Sequence, residues 1–267
     1  MEWITMGLIP NVTKERLEAG EVTIGFSVMH SRTVNIAKIA KSCGYDWLWV
    51  DAEHGFMSTQ TATDMCVAAL DCGITPIVRV PGPEDFHVGK MLDGGAQGII
   101  FPHINNAEEA RHAVRSTKYP PKGHRSHTGA KPQLGFERVS IAESIKIVNE
   151  NILVGTMLET QEGIDNVEEI AAVEGVDILF IGTQDLSIDM GIPGELNHER
   201  IHQAYEKMIA TAVKNGKSAG MGGVYDDSLI PVYIDMGVGF VLAGTDYEFM
   251  VNAARERADQ LKALIKE

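Results

Sequence analysis

Residues 46–53 read DWLWVDAE, a short apolar run that ends in acidic residues. A run of this length is typical of a strand buried in a parallel sheet. Stretches with helical periodicity, such as residues 31–42, 59–71 and 107–117, separate most runs of this kind. The predicted strands are residues 22–28, 46–53, 75–80, 98–102, 152–159, 177–182, 218–222 and 239–244. Eight alternating βα units in 267 residues predict an α/β fold of the closed (β/α)8 TIM barrel type.

The predicted strands lack a nucleotide-binding signature. None is followed by a GxGxxG or GxxxxGK(S/T) motif, which open nucleotide-binding sheets usually carry. Length alone leaves one or two domains open. Because eight βα units and one long loop account for the whole chain, we expect a single barrel domain over residues 1–267.

One segment interrupts the alternation. Residues 118–136, KYPPKGHRSHTGAKPQLGF, hold three prolines and three glycines and show neither helical nor strand periodicity. Loops of this length are usually functional lids or solvated excursions. The histidine, arginine and lysine side chains of the segment favour a position at the edge of a site, and a solvated surface loop is the alternative.

The last helical stretch, residues 247–266, is amphipathic. One face collects Met250, Ala254, Ala258, Leu261 and Ile265 at a spacing of three or four. That face needs a cover, either the chain's own barrel or a neighbouring subunit. The sequence leaves both open.

Composition and charge exclude several functions. Hydrophobic residues make up 44% and charged residues 22%, which is typical of a folded globular protein. The net charge of -14 repels nucleic acid and anionic membrane surfaces. Cys43, Cys66 and Cys72 form no CxxC pair, Glu2 stands where a signal peptide needs basic residues, and no apolar run reaches membrane-spanning length. We therefore expect a cytoplasmic protein without nucleic-acid or membrane partners.

Charged residues lie where two predicted strands end, the end at which barrel enzymes carry their sites. The second strand leads into Asp51, Glu53 and His54, and the third contains Arg79 within an apolar run. A guanidinium is always charged, so Arg79 must meet an anion. It either serves a substrate or neutralises Asp51 or Glu53, and His54 is either a base or a packing histidine.

Two further acids end strands five and six. Glu159 and Asp185 lie one βα unit apart, and converging carboxylates need a cation or a shared proton between them. Oxygen ligands select a hard divalent ion such as Mg2+ or Mn2+, and two protein ligands leave positions for water and a bidentate substrate. The alternative for Glu159 is a helix cap or a surface ion pair.

Covalent catalysis is disfavoured. No predicted strand holds the lysine that a Schiff-base aldolase needs, no serine lies in a GxSxG motif, and the cysteines lie beside no histidine. Metal-assisted polarisation with a histidine base remains.

Several ordered motifs resemble those of one known family. They are residues 47–54, WLWVDAEH; 76–81, PIVRVP; 90–98, KMLDGGAQG; 119–125, YPPKGHR; 158–160, LET; 175–177, GVD; and 180–187, FIGTQDLS. The chain resembles the HpcH/HpaI aldolase family, metal-dependent pyruvate-type aldolases related to the citrate lyase beta subunit. The resemblance covers nearly the whole chain.

The resemblance implies a barrel of the phosphoenolpyruvate/pyruvate type and a divalent metal bound by Glu159 and Asp185. Mg2+ and Mn2+ are the first candidates for that metal, and Co2+ and Zn2+ are further ones. The implied reaction is reversible cleavage of a 4-hydroxy-2-oxo acid to pyruvate, or a related 2-oxo acid, and an aldehyde through a metal-stabilised enolate. The implied assembly is a homohexamer, a trimer of dimers with exchanged C-terminal helices.

The resemblance also implies roles for individual residues. Arg79 would stabilise the enolate oxygen, and His54, oriented by Asp51 and Asp93, would take the proton of the 4-hydroxyl group. Backbone N–H groups around Gln184 and Asp185 would receive the substrate carboxylate.

The chain departs from the family pattern at four positions. Met157 stands where glutamine is common, Thr183 and Gln184 replace proline and alanine, and Ser126 replaces glycine. These departures bear on the substrate more than on the reaction class. Two alternatives stay open, an acyl-CoA lyase of the citrate lyase beta-subunit type and a barrel that binds a 2-oxo acid without turnover.

Overall fold

Eight parallel strands form the centre of the protein. The computed structural model describes residues 8–129 and 131–265. The strands are β1 Thr23–Val28, β2 Trp47–Asp51, β3 Thr75–Arg79, β4 Gly98–Phe101, β5 Leu153–Leu158, β6 Ile178–Gly182, β7 Ser218–Gly222 and β8 Val238–Thr245. Each strand pairs in parallel with the next, and β8 closes on β1. The predicted (β/α)8 barrel is confirmed.

Helices surround the barrel. They are α1 Val12–Glu18, α2 Asn35–Ser42, α3 Thr59–Cys72, α4 Asp85–Asp93, α5 Ala107–Thr117, α6 Ile141–Asn151, α7 Gln161–Asp165, α8 Val167–Ala171, α9 Thr183–Asp189, α10 Glu199–Lys214, α11 Ile230–Met236 and α12 Asp246–Ile265. Local sequence fixes several of their ends. The Ser58 side chain accepts from the Thr61 N–H at the start of α3, and Gly73 ends that helix at a φ of 70°.

Aromatic side chains fill the inside of the barrel. The inner core consists of Trp47, Trp49, Ile77, Ile100, Leu153, Met157, Ile178, Phe180, Phe240 and Leu242. Trp47 stacks on Phe240 with ring centroids 3.9 Å apart, and a Cβ at Gly25 would lie 2.2 Å from the Trp47 ring. Only glycine at position 25 therefore admits this stack. The packed interior leaves room for a site only at an end of the barrel.

The segment 118–136 packs along the outside of the barrel. Its described residues contain one short 3-10 helix, Pro132–Leu134, and neither an α-helix nor a strand. His124 contacts Asp85 at the start of α4, and Arg125 donates to Asp93 at its end. No described residue of the segment lines the cavity identified below. Within a single chain, therefore, the segment does not border the site, contrary to our expectation.

The C-terminal helix leaves most of its apolar face uncovered. None of the described residues of α12 is buried, and Ile265 is 82% exposed. Phe249 in its second turn packs on Phe26 of β1, with ring centroids 5.3 Å apart. Residue 266, the last residue of the predicted helix, lies outside the described residues. Parts of the predicted domain, residues 1–267, also lie outside them, so the extent of the domain stays a prediction. Throughout the described chain, no helix combines the length and apolar character that crossing a membrane requires.

Candidate active site

A cavity of about 390 Å3 opens at the carboxyl ends of the strands, where parallel barrels carry their sites. Trp49, Met157, Phe180 and Leu242 contribute apolar walls to it. The polar residues of the lining include Asp51, His54, Arg79, Thr183, Gln184, Asp185, Tyr225, Thr245, Tyr247 and Glu248. The sequence-predicted residues Asp51, His54, Arg79, Gln184 and Asp185 are therefore brought together.

Arg79 and Asp51 form a buried ion pair. They lie opposite each other in the β2–β3 register, at the last residue of each strand. Arg79 Nε lies 3.2 Å from Asp51 Oδ1, and Nη2 lies 2.5 Å from Oδ2. Burial by itself lowers the pKa of Arg79, but Asp51, Glu53 and Glu159 together raise it above its ordinary value. Arg79 thus stays a cation held in a fixed orientation.

Glu53 is a second carboxylate at Arg79. Its Oε2 lies 3.1 Å from Arg79 Nη1, and its Oε1 lies 3.4 Å from His103 Nε2. Both Glu53 and His103 are functional candidates that the predicted set omits. His103 follows β4 closely, as Asp51 and Arg79 end their strands, so the same strand-end rule applied to residues 98–102 could have found it.

Glu159 is a buried carboxylate between β5 and α7. Its Oε2 accepts the His103 backbone N–H at 3.0 Å, and His103 Nδ1 lies 3.1 Å from the same oxygen. Burial raises the pKa of Glu159, and the His103 N–H and the charges of His103 and Arg79 oppose that rise. A carboxylate in this setting is stabilised by a nearby cation.

Gly182 makes room for Glu159. A Cβ on Gly182 would lie 2.6 Å from Glu159 Oε1 and 2.7 Å from Met157 Cε. Glu159 therefore lies directly behind Gly182 and Met157, both of which line the cavity. Glycine at position 182 is the residue that permits this approach.

The first turn of α9 carries the next polar group directly after β6. Thr183, at a family proline position, is buried, and its Oγ1 contacts Tyr205 Oη at 2.7 Å and the Gly222 carbonyl at 2.8 Å. Gln184 donates to the Gly223 carbonyl at 2.9 Å. Asp185 is exposed in the lining. The two departures from the family pattern thus fasten this turn to β7.

The acidic groups suit a divalent cation. Asp51, Glu53 and Glu159 surround the single guanidinium of Arg79, and Asp185 adds a further carboxylate at the cavity. This excess of carboxylate oxygens is the donor chemistry that Mg2+ and Mn2+ prefer. Over residues 8–129 and 131–265, no three His, Cys, Asp or Glu side chains are already gathered about one metal position. A metal at Glu159 and Asp185, the ligands that the sequence predicts, would therefore need water or substrate oxygens as further ligands.

His54 lines the cavity with an exposed ring. Its Nε2 lies 3.8 Å from Glu53 Oε2, and its side chain is 56% exposed. Asp51 Oδ1 accepts the backbone N–H groups of Glu53 and His54, at 3.0 and 3.1 Å. Asp51 therefore holds the loop that carries His54, whereas we expected it to orient the imidazole.

Asp93 does not reach His54 within one chain. It is the last residue of α4, and its Oδ1 accepts from Arg125 Nη2 at 2.7 Å. A helix that follows a strand runs back toward the amino ends of the barrel, and nine residues carry it about 13 Å. Asp93 is therefore absent from the cavity lining of a single chain, and its role in orienting His54 stays a prediction.

The outer wall of the cavity comes from the loops after β1 and β7, the last residue of β8 and the start of α12. Thr245 Oγ1 donates to Glu248 Oε2 at 3.1 Å, and the Tyr247 and His30 rings lie 5.0 Å apart. Burial, reinforced by the Glu248 charge, raises the pKa of Tyr225 to about 12. No motif in the sequence distinguished these residues.

Comparisons with known proteins agree with this geometry. A 4-hydroxy-4-methyl-2-oxoglutarate aldolase of Chaetomium globosum is 38% identical over 225 residues, which are 82% of this chain and 83% of that protein. One of the same name from Hapsidospora irregularis is 35% identical over 261 residues, 95% and 96% of the two chains. The crystal structure of an HpcH/HpaI aldolase from Desulfitobacterium hafniense DCB-2 superposes with a TM-score of 0.89 at 28% identity, covering 93% of this chain and 96% of that one.

The chain matches the model of the HpcH/HpaI aldolase/citrate lyase family over residues 28–253. This span contains every strand from β2 to β8 and every residue of the predicted site. The chain belongs to the HpcH/HpaI aldolase/citrate lyase family.

Proposed function

We propose that this protein is a metal-dependent aldolase that reversibly cleaves a 4-hydroxy-2-oxo acid into pyruvate, or a related 2-oxo acid, and an aldehyde. The observation that carries the proposal is the buried Arg79 guanidinium, held by Asp51 and Glu53 at the cavity. The aldolase relatives support the same reaction class.

Glu159 and Asp185 are the residues that would hold the metal. Mg2+ or Mn2+ fits their oxygen donors, and Co2+ or Zn2+ is a further possibility. A divalent cation bound there supplies a Lewis acid for the 2-oxo group of the substrate. Met157, with its sulfur 3.9 Å from Arg79 Nη1, offers a soft thioether that is a poor donor for a hard ion.

Arg79 stabilises the negative charge that develops on the 2-oxo oxygen. A guanidinium carries five N–H donors, of which Asp51 takes two, Glu53 faces a third and the Met157 sulfur accepts a fourth. The remaining donor serves a substrate oxygen in the cavity. Because the two carboxylates fix the guanidinium before the substrate arrives, little reorganisation is needed during the reaction.

His54 acts as the base on the 4-hydroxyl group. Its exposed ring lines the cavity, and its ring nitrogen is no closer than 3.8 Å to the Glu53 carboxylate. The hydroxyl proton moves to His54 directly or through one water, the C3–C4 bond breaks, and its electron pair becomes the enolate. Protonation of the enolate at C3 yields the 2-oxo acid, and the C4 fragment leaves with a new C=O bond, as an aldehyde where C4 carries a hydrogen and as a ketone where it carries a methyl group, as in 4-hydroxy-4-methyl-2-oxoglutarate.

The proposal is tested by the release of pyruvate. Metal-stripped protein should release none from 4-hydroxy-4-methyl-2-oxoglutarate or 4-hydroxy-2-oxoheptanedioate, and Mg2+ or Mn2+ should restore the reaction. Glu159→Gln should remain folded and inactive, while His124→Ala, outside the cavity, should behave as wild type. Absence of turnover with every metal, or full activity of Glu159→Gln, would contradict the proposal.

The uncovered face of α12 supports a homo-oligomer. Met250 and Phe249 flank an apolar groove that Phe26, Ile36 and Tyr45 also line. We propose that a second copy covers this region, with a hexamer as the expected assembly. Light scattering of the protein as it elutes from a size-exclusion column tests the proposed homo-oligomer. A monomer at micromolar concentration would contradict the proposal.

The cysteines support the expected cytoplasmic location. All three lie in the described part of the chain and none is in a disulfide there.

A further inference from the structure

His103 joins two carboxylates that belong to different strand ends. Its Nδ1 lies 3.1 Å from Glu159 Oε2, and its Nε2 lies 3.4 Å from Glu53 Oε1. Glu53 follows β2 and Glu159 follows β5, so a single imidazole spans the side of the barrel that β3 and β4 occupy. The ring itself is 60% exposed, whereas the Glu159 side chain beneath it is almost completely buried.

The backbone of His103 adopts a conformation that non-glycine residues rarely use. Its φ of 53° lies in the left-handed region, where Cβ crowds the following carbonyl. This turn directs both the backbone N–H and ring Nδ1 of His103 at Glu159 Oε2. An unfavourable conformation that places two nitrogen atoms at one carboxylate oxygen points to a functional constraint.

The loop that carries His103 is fastened to the turn that carries Glu159. The Ile104 N–H donates to the Met157 carbonyl at 3.0 Å, and the Thr160 hydroxyl donates to Asn105 Oδ1 at 2.5 Å. Asn105 Nδ2 in turn donates to the His103 carbonyl at 3.3 Å. Bonds on both sides of His103 and Glu159 therefore hold the two residues in one rigid unit.

The two oxygens of Glu159 have different surroundings. His103 contacts Oε2, whereas Oε1 lies 2.6 Å from the position that a Cβ on Gly182 would take, three residues before Asp185. Because N–H groups hold Oε2, the other oxygen of the carboxylate, Oε1, points in a defined direction. We propose that His103 is a positioning residue that fixes Glu159 for divalent-metal binding. This inference rests on the proposed function.

His103 acts on the metal through Glu159, so its removal should weaken metal binding without abolishing it. Groups that orient a metal ligand typically change metal affinity by about 10- to 100-fold. His103→Gly isolates the ring, because glycine accepts the left-handed φ and retains the backbone N–H. His103→Asn retains a side-chain N–H donor near the place of Nδ1, and asparagine also tolerates this φ.

The experiment is calorimetric titration of the full metal-stripped chain with Mn2+, supported by the Mn2+ electron paramagnetic resonance spectrum. His103→Gly should bind Mn2+ about 10- to 100-fold more weakly and show an altered spectrum. His103→Asn should stay close to wild type. The matched control is His124→Ala, which removes a histidine whose Nε2 lies 2.9 Å from Asp85 outside the cavity. Thermal unfolding in EDTA should be similar for wild type and both His103 variants.

The outcomes separate the inference from the function beneath it. Equal Mn2+ affinity and identical spectra for wild type and His103→Gly would overturn the role of His103 alone. A wild-type protein that binds no Mn2+ would overturn the proposed metal site and the inference with it. Weakened binding by His103→Asn equal to that of His103→Gly would show that a donor at Nδ1 is not what matters, which also contradicts the inference.

Discussion

Replacement of Arg79 by methionine should affect stability and turnover separately. Arg79 is 8% exposed and Asp51 is 1% exposed, so Arg79→Met leaves the Asp51 carboxylate buried without its cation. Breaking such a pair from one side costs about 3 kcal/mol, which lowers the urea midpoint by about 1 M or more. Loss of the donor to the enolate oxygen should also lower kcat at least ~100-fold.

A second substitution distinguishes the two effects. The amide oxygen introduced by Asp51→Asn can still accept the Glu53 and His54 N–H groups, because both donate to a single oxygen, Oδ1. The double variant Asp51→Asn/Arg79→Met removes the more deeply buried of the two carboxylates that lose their cation, and it should recover part of the lost stability, because Glu53 stays without Arg79. Its kcat should remain low, because the guanidinium is still absent.

Urea denaturation followed by tryptophan fluorescence and a coupled pyruvate assay measure the two quantities. Arg111→Met is the matched control, since Arg111 pairs with Glu108 at 3.0 Å on the exposed surface of α5 and should matter little. If Arg79→Met kept turnover within tenfold of wild type, or if the double variant were no more stable than Arg79→Met, the roles assigned here to Arg79 and Asp51 would be refuted.

Three further predictions concern other parts of the protein. Gly182→Ala places a Cβ 2.6 Å from Glu159 Oε1, so turnover should fall by about 100-fold while circular dichroism stays unchanged; normal turnover would contradict the approach described for Glu159. Burial raises the pKa of Cys66 to about 12, so a thiol reagent at pH 8 should leave Cys66 unlabelled until unfolding, and rapid labelling of Cys66 in the folded protein would show that it is accessible. The Glu248 carboxylate lines the cavity and repels a second carboxylate on the substrate, so Glu248→Gln should lower KM about two- to fivefold for dicarboxylate substrates and leave KM unchanged for substrates with one carboxylate. A uniform change in KM would exclude charge repulsion as the cause.

The sequence was sufficient to predict the barrel. Apolar runs between glycines and prolines mark all eight strands, because strands covered on both faces need continuous apolar residues. The predicted ends of four strands extend too far, to residues 53, 80, 102 and 159, whereas β2, β3, β4 and β5 end at Asp51, Arg79, Phe101 and Leu158. Where ladder hydrogen bonds stop depends on the neighbouring strand, which one apolar run does not reveal.

The site was predicted only where a residue's position follows from strand direction. Arg79 and Asp51 end adjacent strands, so their meeting follows from topology. The contact of His103 with Glu159 depends on a left-handed backbone turn, which no local residue pattern indicates. Asp93 ends α4 and lies outside the cavity lining of a single chain, which motif order alone does not reveal.

The claim that this protein is a metal-dependent aldolase is tested most directly by a crystal structure with Mn2+ and oxalate, an analogue of the pyruvate enolate. The diffraction data are measured at a wavelength where manganese scatters anomalously. We expect one strong peak in contact with Glu159 Oε1 and an Asp185 carboxylate oxygen, with oxalate between that peak and the Arg79 guanidinium. A manganese peak at other residues, or oxalate bound away from Arg79, would contradict the proposed metal site and the role of Arg79.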